Sequence, residues 1–182
     1  MSRTIRYPLV YGSLAGLIIV AISLLAYASG MVGHSTSPLF GYTVMLLALT
    51  MIFVGVKRYR DVELGGVIRF GRALALALGI GLVASIIYAA AFEIYVAVTG
   101  FDFTAWYSEV RGKELAESGA SQGAIQAELA EIRAFGETYK NPFVRIPFHF
   151  LEIGPVVILI ALVSAGLLRN PRLLPARAAR SA

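Results

Sequence analysis

The sequence predicts an all-α fold: an integral membrane four-helix bundle with an extracytoplasmic helical hairpin between spans three and four. Three observations carry that expectation. Residues 73–92 read ALALALGIGLVASIIYAAAF, an uncharged stretch. At about 1.5 Å rise per residue it makes a helix about 30 Å long, the thickness of a bilayer's hydrocarbon core. Three further apolar runs accompany it. Charged residues are 15% of the chain and hydrophobic residues 58%, whereas soluble domains carry about 25% charged residues.

The 182 residues suit one membrane domain. The spans are expected at about 8–30, 39–56, 72–98 and 147–168, the hairpin at about 101–141 and a basic tail at 169–182. Cysteine is absent, which excludes disulfides and thiolate chemistry. The net charge of +5 is read as basic residues on the cytoplasmic side of a membrane, with no nucleic-acid partner.

Arg3 and Arg6 precede an uncharged stretch at 7–31. Ala26-Tyr27-Ala28 fits a signal-peptide cleavage pattern. The apolar run exceeds the roughly 7–15 residues of a signal core, so it is read as a retained span. Gly12 and Gly16 form a GxxxG step. It either seats another helix or reflects how common glycine is in membrane helices.

Residues 32–38 form a loop that holds His34 and no Lys or Arg. The second run, 39–56, stops at Lys57-Arg58-Tyr59-Arg60-Asp61, and 57–72 reads as a basic loop with a Gly65-Gly66 turn. In the third run, Gly79-Ile80-Gly81 is the weak candidate for a mid-membrane break.

The connection at 100–145 carries seven acidic and five basic residues. Two helices are expected in it, one at about 104–118 ending at Gly119 and one capped by Ser121. Ile125, Leu129, Ile132, Phe135 and Tyr139 form an apolar stripe on the second. Trp106 and Tyr107 are headgroup-anchor candidates, and Asn141-Pro142 marks the end. The fourth run, 148–168, is interrupted by His149, Glu152 and Pro155. The basic loop and the tail, with Arg169, Arg172, Arg177 and Arg180, are candidates for contact with anionic lipid. For the tail the other reading is a solvated end that only fixes topology.

Of the sixteen Lys and Arg, two lie in the N-terminal segment, five in 57–72 and four in the tail. The first loop has none and the long connection five, outnumbered there by acids. The positive-inside rule therefore puts both termini in the cytoplasm and the hairpin outside.

Gly55-Val56-Lys57-Arg58-Tyr59-Arg60-Asp61 followed by Gly65-Gly66-Val67-Ile68-Arg69-Phe70-Gly71, with four spans and a long third connection, resembles the bacterial family catalogued as domain-of-unknown-function family 4199. The resemblance covers roughly residues 8–168. It implies a multi-pass protein of the bacterial cytoplasmic membrane with an uncharacterised role, and it lends no catalytic residues.

Ionised groups inside hydrocarbon cost about 2.5–3.5 kcal/mol each on insertion scales and are candidates for function. Arg145, His149, Glu152 and Val156 recur at helical spacing and share a face. His149 and Glu152 are expected in the outer leaflet, near the depth of Glu93. One reading is a converging Glu93, His149 and Glu152 site, with Tyr88 and His34, that binds a divalent metal or relays a proton. The other is interhelical salt bridging through Arg145 or a protonated His149, and it is preferred because interface positions are cheap to accommodate. No catalytic nucleophile, cofactor site or complete metal ligand set is assigned. Three function classes follow in order: a partner-binding or self-assembling membrane component, a small transporter or channel subunit, and a membrane enzyme using the outer cluster.

Overall fold

A computed structural model describes residues 3–28 and 38–175. Six helices form among them: α1 (Arg3–Ala28), α2 (Pro38–Glu63), α3 (Phe70–Thr99), α4 (Phe103–Glu117), α5 (Gln122–Tyr139) and α6 (Pro142–Leu168). Four of these, α1, α2, α3 and α6, are long and apolar enough to cross a bilayer. In lipid no water is at hand to satisfy backbone N–H and C=O groups, so continuous helix is the way through. The protein is an all-helical membrane protein with a four-span bundle.

α3 is the central element, packing against α1, α6 and α2, while α2 also packs on α1 and α6. Small residues make these approaches close. A Cβ on Gly12 would lie 2.6 Å from the carbonyl oxygen of Ile80 and 2.6 Å from Val83 Cβ, and one on Gly16 2.8 Å from Ile87 Cβ. The GxxxG step of α1 is thus a seat for the backbone of α3. On the opposite contact, a Cβ on Gly81 would overlap the Val157 side chain of α6. α3 runs unbroken through Gly79-Ile80-Gly81. The weak candidate for a break is thus continuous helix, and Gly81 is a packing glycine.

The buried core runs through Ala15, Ile19, Leu49, Ile52, Ile80, Ala84, Ile153 and Ala161. Large apolar residues also cover the outside, with Leu17, Leu25, Leu47, Leu82 and Leu159 exposed. Helices apolar on every face are what a lipid solvent permits.

The basic segment after residue 56 is helix, not loop. α2 continues to Glu63, held by an i,i+4 pair of Lys57 with Asp61 at 2.6 Å. Arg60 is fully buried. Its guanidinium donates to Asp61 at 2.6 Å and to the carbonyls of Leu173 and Leu174 beyond the end of α6. A cation at a helix C-terminus meets carbonyls without intrahelical partners. Tyr59 beside it accepts from Arg72 at 2.7 Å and meets Tyr7 edge-on. The chain then turns at Gly65 and Gly66, both at positive φ, with the Gly66 N–H returning to the Arg60 carbonyl.

The connection between α3 and α6 is the expected hairpin. Asp102 caps α4 by accepting from the Ala105 N–H, and Ser121 caps α5 by accepting from Ala124. Ile125 is buried, and Leu129, Ile132 and Tyr139 are half-buried, whereas Phe135 leans out to meet Phe148 of α6 edge-on at 5.4 Å. Arg111 of α4 reaches Glu128 of α5 at 2.7 Å, and that bond, with Glu114, raises its pKa. Asn141-Pro142 ends α5 and also opens α6. Asn141 accepts from the Phe143 N–H, and Pro142 stands in the first turn, where its missing N–H costs nothing.

Gly12→Ala is expected to lower stability in detergent by about 1–3 kcal/mol, because the clash is with backbone that cannot rotate away. Gly166→Ala, with nothing within 4 Å of the added carbon, is expected to be neutral or to gain up to about 1 kcal/mol. Thermal melting of the two variants side by side checks this.

Candidate functional site

The halves of α3 and α6 next to the α4–α5 hairpin carry Glu93, Tyr88, Arg145, His149 and Glu152, arranged in layers. In the outermost layer Arg145 of α6 meets Glu93 of α3. Nε lies 2.7 Å from Oε1 and Nη2 2.5 Å from Oε2, a two-pronged ion pair. Arg145 and Glu93 retain 10% and 21% side-chain exposure, so the pair is largely out of water. The remaining Nη1 turns to the carbonyls of Tyr139 and Lys140 at 3.5 and 3.4 Å, which ties the end of α5 to the same cation.

One turn deeper, about 6 Å along α6, His149 is buried. Its ring lies 4.6 Å from Phe92 and 5.5 Å, edge-on, from Tyr88. Nε2 has no hydrogen-bond partner. The imidazole is packed as an aromatic slab between α3 and α6.

Deeper again, Tyr88 donates its hydroxyl to Glu152 Oε2 at 3.2 Å. Glu152 is seven residues beyond Arg145, so it lies about 10 Å below the ion-pair layer. The expectation that His149 and Glu152 share the depth of Glu93 is therefore corrected: Arg145 holds that level, and the two others descend from it inside the apolar run. Glu152 is also exposed on the bundle's outer surface, whereas Arg145, His149 and Val156 are buried. The buried face of α6 is centred on Ile153, Val157, Ala161, Ser164 and Leu168. The stripe predicted from spacing runs along the edge of that face, and Glu152 falls on its outward side.

The five predicted residues are thus brought together as two pairs around a histidine. Arg145 neutralises Glu93, and Tyr88 serves Glu152. His34 lies outside the described residues. Among those described, no three His, Asp or Glu side chains gather closely enough to hold a metal ion. Phe92 was missed by sequence reasoning. So was the other end's polar centre of Arg60, Tyr59, Tyr7 and Glu63, where Tyr7 donates to Glu63 at 3.0 Å. Its signal was present: Leu49, Ile52, Val56, Tyr59 and Glu63 continue one helical stripe into the charged segment.

A family model with the description "Protein of unknown function (DUF4199)" matches residues 10–170. No curated protein and no solved structure matches the chain.

Arg145→Met leaves the Glu93 carboxylate half-enclosed without its cation, and is expected to cost about 3 kcal/mol. Adding Glu93→Gln should recover most of that loss. Denaturation in mild detergent of the parent, both single variants and the double variant measures the coupling.

Proposed function

The chain belongs to the DUF4199 family, whose description carries no activity, and from its own geometry we propose that it is a partner-binding component of a membrane assembly. The observation that supports this is Glu152. A carboxyl inside an apolar run and on the outside of the bundle faces lipid, where polar groups are expensive. Tyr88 supplies one donor. Pro155, one turn on, has no N–H to return to the Leu151 carbonyl, so a second polar group stands beside the first. A neighbouring membrane helix bringing a hydrogen-bond donor or a cation would satisfy both. Leu151, Ile158 and Leu159 around them are exposed and apolar, the contact area such a helix needs.

A transport reading gains one observation, the position of Glu152 about 10 Å along α6 from the Arg145–Glu93 pair. Among the described residues the four spans are continuous helices with none broken, and so it ranks second.

The site lies in the bacterial cytoplasmic membrane on this reading, with both termini cytoplasmic and the α4–α5 hairpin outside. The support is that eleven of sixteen Lys and Arg flank the spans on the side of the termini. A chain free of cysteine allows a direct measurement. Ser118→Cys is expected to react with a membrane-impermeant maleimide in intact cells, and Asn170→Cys only after lysis. The reverse pattern would invert the assignment.

For the partner itself, a photo-cross-linking residue at Leu159 is expected to capture one discrete membrane protein in native membranes. Glu152→Leu should abolish that adduct while leaving the melting temperature within a few degrees of the parent. An adduct of twice the chain's mass would make the partner a second copy. No adduct, together with proton flux in liposomes that Glu152→Gln stops, would replace this reading with transport.

A further inference from the structure

Three cations on the membrane face that carries the start of α1 and the end of α2 are engaged within the chain. Lys57 pairs with Asp61, Arg60 is enclosed by Asp61 and backbone carbonyls, and Arg72 donates to Tyr59. Arg6 and Arg58 are exposed and have no ion-pair partner among the described residues. Both line a groove of about 520 Å³ between α1 and α2, with Val10, Tyr11, Val62 and Glu63. Tyr7, also in the lining, occupies one oxygen of Glu63 through its hydroxyl.

The groove is polar at one end and apolar at the other. Arg6 stands just before the uncharged stretch that starts at residue 7, and Arg58 just after the one that ends at residue 56. Both therefore lie at headgroup level. Val10 and Tyr11 lie one turn further into the span, where an acyl chain begins. Two guanidiniums against one carboxylate leave the lining with one net positive charge.

We propose that this groove binds an anionic phospholipid, with Arg6 and Arg58 on its phosphate and the upper acyl chain along Val10 and Tyr11. Guanidinium suits phosphate because its planar fork donates two parallel hydrogen bonds. A phosphodiester is the recognised group, and a soluble phosphate ester offers the same chemistry. The apolar inner wall favours the lipid, and the single net charge favours a headgroup carrying one negative charge over a zwitterion. The inference singles out Arg6 and Arg58 because both line one groove, whereas Arg69, Arg169 and Arg172 do not line it.

Native mass spectrometry of the full chain in detergent tests it, with phosphatidylglycerol, phosphatidylethanolamine and phosphatidylcholine added in turn and glycerol 3-phosphate as a headgroup without chains. The parent should retain phosphatidylglycerol over phosphatidylcholine by about 30-fold, the effect expected of two juxtamembrane arginines. Arg6→Gln with Arg58→Gln should erase the preference, whereas Arg169→Gln with Arg172→Gln, which removes the same charge from the tail, should keep it. Arg6→Lys with Arg58→Lys guards against a folding artefact, and should keep the preference at reduced strength. Equal retention of all three lipids, or equal loss in the tail variant, overturns the site. Phosphatidylethanolamine binding as tightly as phosphatidylglycerol overturns the anionic assignment and makes Glu63 an ammonium partner. Displacement of phosphatidylglycerol by equimolar glycerol 3-phosphate overturns the lipid in favour of a soluble phosphate ester.

Discussion

The close approach of α3 to α1 on one side and α6 on the other is what the rest of the bundle depends on. In lipid there is no hydrophobic drive to press apolar helices together, because the solvent is as apolar as they are. Contact area and short distance have to supply the attraction. Gly12 and Gly16 let α1 reach the backbone of α3, and Gly81 receives Val157 of α6. With α3 held between them, Glu93 meets Arg145 and Tyr88 meets Glu152. The outer polar layers are consequences of a packing decision made by small residues.

The polar groups sort by how the protein satisfies them. Arg60 and Arg145 stand at opposite ends of the bundle and do similar work. Each is buried, each pairs with a carboxylate, and each spends its remaining N–H groups on backbone carbonyls near a helix end. Arg60 ties the segment after α6 to α2, and Arg145 ties the end of α5 to α3. Glu152 departs from this pattern. Its partner is a neutral hydroxyl, and it faces outwards. A bundle that pairs Arg60 and Arg145 internally leaves this carboxyl on its surface.

Much of this was legible in the chain. The Ser121 cap, the Gly119 stop and the stripe from Ile125 to Tyr139 are local signals, and the hairpin formed as they predict, although Phe135 turned towards α6. The four spans followed from uncharged length alone. The segment after Val56 was misjudged because a run of Lys and Arg after a span ordinarily marks its end. Here Lys57 and Asp61 are four apart, and the helix runs on through them. The depth of Glu152 was misjudged because the fourth span was expected to start at about residue 147, which put Glu152 in its early turns, whereas α6 starts at Pro142 and Arg145 sits beside Glu93.

By itself the sequence determined the number of spans, the Ser121 cap and the charge asymmetry between the two sides. These are properties of consecutive residues, and a bilayer reads them one segment at a time. The tertiary structure alone decided which side of each helix faces a neighbour. Helices that are apolar all round carry little record of their own rotation, so burial cannot be read from their periodicity. Rotation is set by where small residues let backbones meet. That is why Arg145, His149 and Glu152, on one stripe by spacing, divide into two buried residues and one that faces out.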